Sequence, residues 1–100
     1  MHYLEETRRE KPLMPTDVTK RAKIREICEI ISSGIQPLQN IGVLEHLEKD
    51  KRLEWAQFWI DKGFQAVEKL VSTSSGKYSV GDEITLADCC LIPQVFNARR

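Results

Sequence analysis

Few residues in this sequence have the types and spacing that enzymes use for chemistry. The two histidines, His2 and His46, have no cysteine or histidine partners at metal-ligand spacing, so we expect no metal site. Glu45, Glu48 and Asp50 alternate with basic neighbours, which is typical of a solvated charged turn rather than a carboxylate site. The sequence has no glycine-rich phosphate loop, H-E-x-x-H motif or G-x-S-x-G motif. We therefore predict that these residues include no catalytic group.

The segment around Pro37 is the best candidate for a binding site. Pro37 removes the N–H that would bond the Ser33 carbonyl, so a helix passing through this segment has to bend or break. Gln36 and Gln39 can present their side-chain amides at such a kink. The alternative is that the two amides only satisfy backbone carbonyls that the proline leaves free, and the local pattern alone favours that alternative.

Composition excludes several classes of partner. Fifteen basic and fifteen acidic residues give a balanced charge, so nothing favours binding to nucleic acid or to an anionic membrane surface. No apolar run approaches the roughly 20 residues that a membrane span requires. The three cysteines are odd in number and lack a C-x-x-C spacing, which is typical of the reducing cytosol. We expect a cytoplasmic protein with neither a nucleic-acid nor a membrane partner.

A capping box is the strongest local structural signal in the chain. Gly81 and Asp82 predict a turn, and Thr85 then has the position of a helix N-cap. Asp88 follows three residues later, so its carboxylate can accept from the Thr85 N–H while the Thr85 hydroxyl accepts from the Asp88 N–H. We expect the helix that starts here to be the one around which the others pack.

Helical periodicity accounts for most of the remaining chain. Apolar residues recur at spacings of three and four along two segments, and strand patterns are almost absent. The first segment continues past Pro37, which favours one bent helix over two separate ones. The sequence therefore predicts an all-α helical bundle. The two apolar stripes comprise Ile24, Ile27, Cys28, Ile31, Ile35 and Leu38, and Leu53, Ala56, Ile60, Phe64, Val67 and Val71.

Several segments, in order, resemble the zeta-class glutathione transferases, the maleylacetoacetate isomerases. The Gly-Ile-Gln-Pro-Leu-Gln-Asn run is specific to that class, whereas the capping box is shared with the wider superfamily. The resemblance covers the whole chain. The segments that carry it are Tyr3–Arg8, Gly34–Asn40, Val80–Asp88, Pro93–Val95 and Asn97–Ala98.

The resemblance implies a domain organisation. Residues 1–14 would end a thioredoxin-like domain and form the interdomain linker. Residues 15–100 would form an incomplete C-terminal helical domain, so the predicted fold is a truncated bundle of the glutathione-transferase C-terminal type. The Ser-Ser-Cys segment that activates glutathione in this class lies outside this sequence. We therefore expect the chain by itself to be inactive, with its apolar face from Ile24 to Leu38 partly uncovered.

The resemblance also implies an activity and two binding residues. The family is a homodimeric enzyme that isomerises maleylacetoacetate, with glutathione as cofactor, in phenylalanine and tyrosine breakdown. By the same resemblance, Gln36 would contact glutathione and Arg100 would hold a carboxylate of the dicarboxylate-like substrate. The alternative is a non-enzymatic interaction module of the same helical type. The zeta-like run around Gln36 argues against that alternative.

Overall fold

The computed structural model describes residues 2–99, and within them the chain folds into six α-helices without a β-strand. An isolated parallel bridge joins Ser75 to Gly81 in the connection before the last helix. The predicted all-α fold is confirmed. No helix in this part of the chain is long and apolar enough to cross a membrane. The helices are α1 His2–Thr7, α2 Val18–Gly34, α3 Gln36–Gln39, α4 Ile41–Leu44, α5 Lys49–Ser74 and α6 Leu86–Ala98.

Helix α2 lies at the centre of the packing. Its N-cap Asp17 accepts a hydrogen bond from the Thr19 backbone N–H at 3.2 Å, and its apolar face contacts both α5 and α6. The isoleucine stripe from Ile24 to Ile35 is completely buried, each member being 0% exposed. The prediction that α6 would be the central helix is therefore wrong. In the rest of the predicted apolar face, Cys28 and Leu38 are only partly buried. The long helices α5 and α6 cover α2 from two sides.

The predicted bent helix is instead divided into three pieces. Ile35 lies in a distorted part of the right-handed helical region, with φ −117° and ψ −61°, and separates α2 from α3. Asn40 has an extended backbone, with φ −60° and ψ 141°, and its side chain accepts from the Gly42 N–H at 2.8 Å to start α4. Pro37 cannot continue the hydrogen-bond ladder of α2, and the Asn40 cap supplies a new start. Together these two signals favour breaks over a bend.

The crossing of α5 over the end of α2 depends on a glycine. Gly63 is buried in the middle of α5, and a Cβ atom placed there would overlap Cγ1 and Cδ1 of Ile35. Ile35 is itself fully buried and has little space into which it could move. The two helices can therefore approach this closely only because residue 63 has no side chain.

The buried Asp88 carboxylate fixes the start of α6. It accepts hydrogen bonds from the backbone N–H of Thr85 at 3.0 Å and from that of Ser79 at 3.1 Å. The Thr85 side chain has the capping-box position next to the Asp88 N–H, but among residues 2–99 its buried hydroxyl has no partner with good hydrogen-bond geometry. Asp88 therefore makes the main contribution to the cap. Its hydrogen bond from Ser79 also attaches the segment before α6 to the helix.

A second carboxylate holds the segment between α1 and α2. Glu5 accepts from the backbone N–H groups of Leu13 and Met14 at 2.8 and 3.0 Å. The Leu13 carbonyl in turn accepts from the Leu86 N–H at 3.1 Å, and Met14 is buried in the core. This segment is consequently packed against the start of α6.

Candidate functional site

A cleft of about 980 Å³ lies between α3, the start of α5 and the end of α6. Its floor is apolar, with Leu53, Ala56 and Ile60 from α5. Amide side chains surround that floor and can both donate and accept hydrogen bonds. The amide residues lining the cleft are Gln36, Gln39, Asn40, Gln57, Gln94 and Asn97.

The charged groups that line this cleft are all positive within the part of the chain that the structure describes. Lys49 and Arg52 come from the first turn of α5, and Arg99 follows the last residue of α6. The Arg52 Nε donates to the Leu47 carbonyl at 3.2 Å, and this hydrogen bond restricts the position of the guanidinium group. Cations and amide donors without a carboxylate favour a ligand that carries carboxylate groups.

Helix α3 holds the candidate residue Gln36 at the edge of the cleft. Gln36 is the first residue of α3, and its side chain is exposed. The indole Nε1 of Trp55 donates to the Leu38 carbonyl at 2.7 Å and attaches α3 to α5. The prediction that this segment exposes an amide next to a helix break therefore agrees with the geometry, while its ligand remains a prediction.

The second amide of this segment, Gln39, is engaged with α6. Its Nε2 donates to Gln94 Oε1 at 3.4 Å, and the Nε2 of Gln94 donates to Gln39 Oε1 at 3.0 Å. Gln94 is 1% exposed, and both amides line the cleft, so the pair joins its α3 and α6 sides. Gln39 therefore neither binds a carbonyl left free by Pro37 nor points freely into solvent.

The remaining predicted site residues lie elsewhere. Arg100 lies outside the described residues, and its neighbour Arg99 lines the cleft. Thr85 and Asp88 are not part of the cleft lining and serve the start of α6. Among residues 2–99 no group of three or more His, Cys, Asp or Glu side chains could hold a metal ion.

Sequence comparison now identifies the family. A model of the glutathione S-transferase C-terminal domain matches residues 41–98, more than half of the chain. The chain belongs to the glutathione S-transferase family. The resemblance to zeta-class members of this family, predicted from the sequence, is confirmed.

Individual members of the glutathione S-transferase family resemble the whole chain. The probable maleylacetoacetate isomerase 2 of Drosophila melanogaster is 71% identical over 100 residues, which are 100% of this chain and 44% of that protein. The maleylacetoacetate isomerase of Mus musculus is 52% identical over 100% of this chain and 46% of its own length. The chain thus spans slightly less than half the length of these relatives.

A solved glutathione S-transferase structure has the same fold. The maleylacetoacetate isomerase of Anaeromyxobacter dehalogenans 2CP-1 superposes with a TM-score of 0.94 at 44% identity, covering 99% of this chain and 46% of its own. That protein was crystallised with dicarboxyethyl glutathione and citrate in its active site. At 44% identity, the two chains share their sequence as well as the arrangement of their helices.

Sequence reasoning missed three residues of the cleft in this glutathione S-transferase chain. Lys49 and Arg52 belong to a charged turn, and no local pattern separates cleft cations from solvated ones. Gln94 was noticed only as part of a resembling segment, although a glutamine beside Pro93 in an otherwise apolar helix was an available signal. Buried amides need partners, so such a residue predicts a contact with another polar group.

The thiol of Cys28 is expected to react slowly with alkylating reagents. Partial burial raises the pKa of this thiol from 9.0 to about 12, with a smaller contribution from the neighbouring Cys90 thiol. Because the thiolate is the reacting form, iodoacetamide at pH 8 should modify Cys28 at least tenfold more slowly than it does in the urea-unfolded chain. Mass spectrometry of the digested protein would measure both rates. Equal rates in the two states would contradict a partly buried thiol with a raised pKa.

The same pKa shift gives a sign for the pH dependence of stability. The folded-state pKa of Cys28 lies above its unfolded value of 9.0, so above pH 9 the unfolded chain loses a proton that the folded chain keeps. The free energy of unfolding should therefore fall as pH rises from 9 towards 12, and Cys28→Ser should weaken that dependence. Urea titrations at several pH values would test both statements.

Proposed function

We propose that this chain is the helical part of a glutathione-dependent cis–trans isomerase acting on maleylacetoacetate. The proposed domain boundaries follow the sequence prediction, with residues 1–14 closing a thioredoxin-like domain and residues 15–100 belonging to the C-terminal helical domain. The proposal includes a cytoplasmic homodimer that acts in phenylalanine and tyrosine breakdown. It is supported by the identity of the chain to maleylacetoacetate isomerases from insect, mammal and bacterium.

The observation that carries this proposal is the composition of the cleft. Amide side chains and three cations surround an apolar floor, and no described lining residue is acidic. Glutathione and maleylacetoacetate both carry carboxylate groups, which this lining can bind through hydrogen bonds and opposite charge. The residues present therefore fit the two ligands that the family resemblance implies.

Each proposed residue has a defined task. When bound, glutathione supplies a thiolate that adds reversibly to the conjugated double bond, so that rotation about that bond becomes possible. Gln36 would donate a hydrogen bond to glutathione from the edge of the cleft. Arg100 would hold a substrate carboxylate through its planar guanidinium group, which suits two parallel hydrogen bonds. These tasks are binding and orientation, since this chain contributes no proposed catalytic residue.

A chimera tests the proposal directly. This chain would replace the aligned 100 residues of the mouse enzyme, to which it is 52% identical. We expect the chimera to isomerise maleylacetoacetate in the presence of glutathione, whereas the 100-residue chain alone should neither do so nor bind glutathione measurably. Millimolar affinity already requires about 4 kcal/mol, and one neutral hydrogen bond from Gln36 supplies only about 1 kcal/mol. A folded dimeric chimera without activity would favour a non-enzymatic interaction module instead.

Two substitutions in the chimera should have separable effects. Gln36→Ala should raise the KM for glutathione about tenfold, because it removes one hydrogen bond. Arg100→Ala should raise the KM for the dicarboxylate-like substrate roughly ten- to a hundredfold, because it removes a contact to a charged group. Gln65→Ala, which removes an exposed amide of α5 outside the cleft, provides the matched control and should change neither KM. Unchanged KM and kcat in both variants would show that the residue assignments are wrong.

A further inference from the structure

The contact between Gln39 and Gln94 is unusual in both its burial and its sequence separation. Each amide donates to the other across a separation of 55 residues, at 3.4 and 3.0 Å, and Gln94 is 1% exposed. A buried amide that loses its partner is unfavourable, so each glutamine restricts the position of the other. The pair joins α3, a helix of only four residues, to the thirteen-residue helix α6.

Helix α3 depends on such side-chain contacts because its own backbone provides few. Its last residues, Leu38 and Gln39, both donate backbone N–H groups to the Ile35 carbonyl at 3.1 Å. Beyond these, the Trp55 indole holds the Leu38 carbonyl from the side of α5. The Gln94 amide holds Gln39 from the side of α6. An isolated helix of four residues is unstable in water, so these contacts determine where α3 lies.

We propose that Gln94 is a positioning residue that, through Gln39, fixes the distance between α3 and the end of α6. Gln36 and Arg99 lie on the two sides of the cleft that this contact joins. The amide pair therefore sets the width of the cleft in which a carboxylate-bearing ligand would lie. This inference deepens the proposed function and rests on it only for the identity of the ligand.

The 100-residue chain tests the positioning role without any ligand. Gln94→Met and Gln39→Met keep the side-chain length and remove both hydrogen bonds. The chain contains two tryptophans, and their indole N–H groups differ. That of Trp55 donates to the Leu38 carbonyl of α3, whereas that of Trp59 has no hydrogen-bond partner among residues 2–99. We expect either variant to speed hydrogen exchange of the Trp55 indole about tenfold and to leave that of Trp59 within twofold. Gln57→Met, which changes a cleft amide outside the pair, should change neither rate.

The second readout in the 100-residue chain is whether the effects of Gln39→Met and Gln94→Met on the Trp55 exchange rate add. The double variant should exchange the Trp55 indole no faster than either single variant, because the first substitution already breaks both hydrogen bonds. Additive effects, or equal acceleration at Trp55 and Trp59, would overturn the proposal, since general loosening of the fold would produce either result. No change at Trp55 in either single variant would overturn it as well.

The chimera separates this inference from the proposed function. In an active chimera, Gln94→Met should raise the KM for glutathione at least fivefold with kcat within twofold, and Gln36→Ala should then add little. A KM unaffected by Gln94→Met would overturn the positioning role. If the unmodified chimera is folded but inactive, the proposed function fails, whereas the indole exchange rates still decide whether Gln94 positions α3.

Discussion

Replacing Asp88 with alanine should lower the free energy of unfolding by about 3 kcal/mol or more. The buried carboxylate accepts two backbone hydrogen bonds, from Thr85 and Ser79, and hydrogen bonds to charged groups contribute roughly 1.5–3 kcal/mol each. Alanine would also leave both N–H groups without a partner in the protein interior. Urea unfolding followed by circular dichroism would measure the loss.

Thr85→Ala is the matched control for Asp88→Ala. From the sequence alone, the loss of this N-cap would cost about 1 kcal/mol. Among residues 2–99 the Thr85 hydroxyl has no hydrogen-bond partner with good geometry. We therefore expect Thr85→Ala to lower the free energy of unfolding by less than that value. Asp88→Asn should lie between the two variants, because its amide oxygen can still accept one bond. A loss for Thr85→Ala as large as that for Asp88→Ala would contradict this assignment of the cap to the carboxylate.

The second large effect is expected where α2 meets α5. Ile35→Ala should lower the free energy of unfolding by about 3 kcal/mol, since Ile35 is 0% exposed and its removal leaves a cavity. Gly63→Ala should lower it by about 1–2 kcal/mol, because the clash of the new methyl group with Ile35 outweighs the better helix propensity of alanine.

The double variant Ile35→Ala/Gly63→Ala shows whether the two residues are in contact or affect the free energy of unfolding independently. In the Ile35→Ala background the space next to residue 63 is empty, so the methyl group of Gly63→Ala can occupy it. We expect Gly63→Ala to be neutral or stabilising in that background, which the same urea titrations would show. Strictly additive losses would contradict the close approach of Ile35 to Gly63.

Features encoded by neighbouring residues could be predicted from the sequence, and those that join distant residues could not. The stripe from Ile24 to Ile35 predicted a helix with one apolar face, and the four isoleucines of that face are fully buried. Trp55 and Trp59 are four residues apart and so lie on one side of α5, where their ring centroids are 5.8 Å apart in an edge contact. Periodicity does not predict which helix lies in the middle, because that depends on which apolar faces pack against one another.

The break after α2 has a local signal in the sequence. The continuing apolar pattern around Leu38 favoured one bent helix, but the Asn40 side chain offered a new cap three residues after Pro37. Of the apolar residues in the two short helices, Leu38 and Leu44 are partly buried and Ile41 is exposed, so the apolar pattern did not require one continuous helix. For the cleft, Gln36 could be predicted as a candidate, whereas its cations and the amide of Gln94 depend on tertiary packing.

The junction at Ile35 has a consequence for how this segment tolerates change in length. Ile35 is both the C-cap of α2 and the N-cap of α3, so this single residue separates the two helices. Inserting or deleting one residue within α2 would turn everything after it by about 100° around the helix axis. Ile35 would leave its place over Gly63, and Gln36 would leave the edge of the cleft. Related sequences should therefore vary by substitution here and keep the number of residues between Ile24 and Gln36 constant.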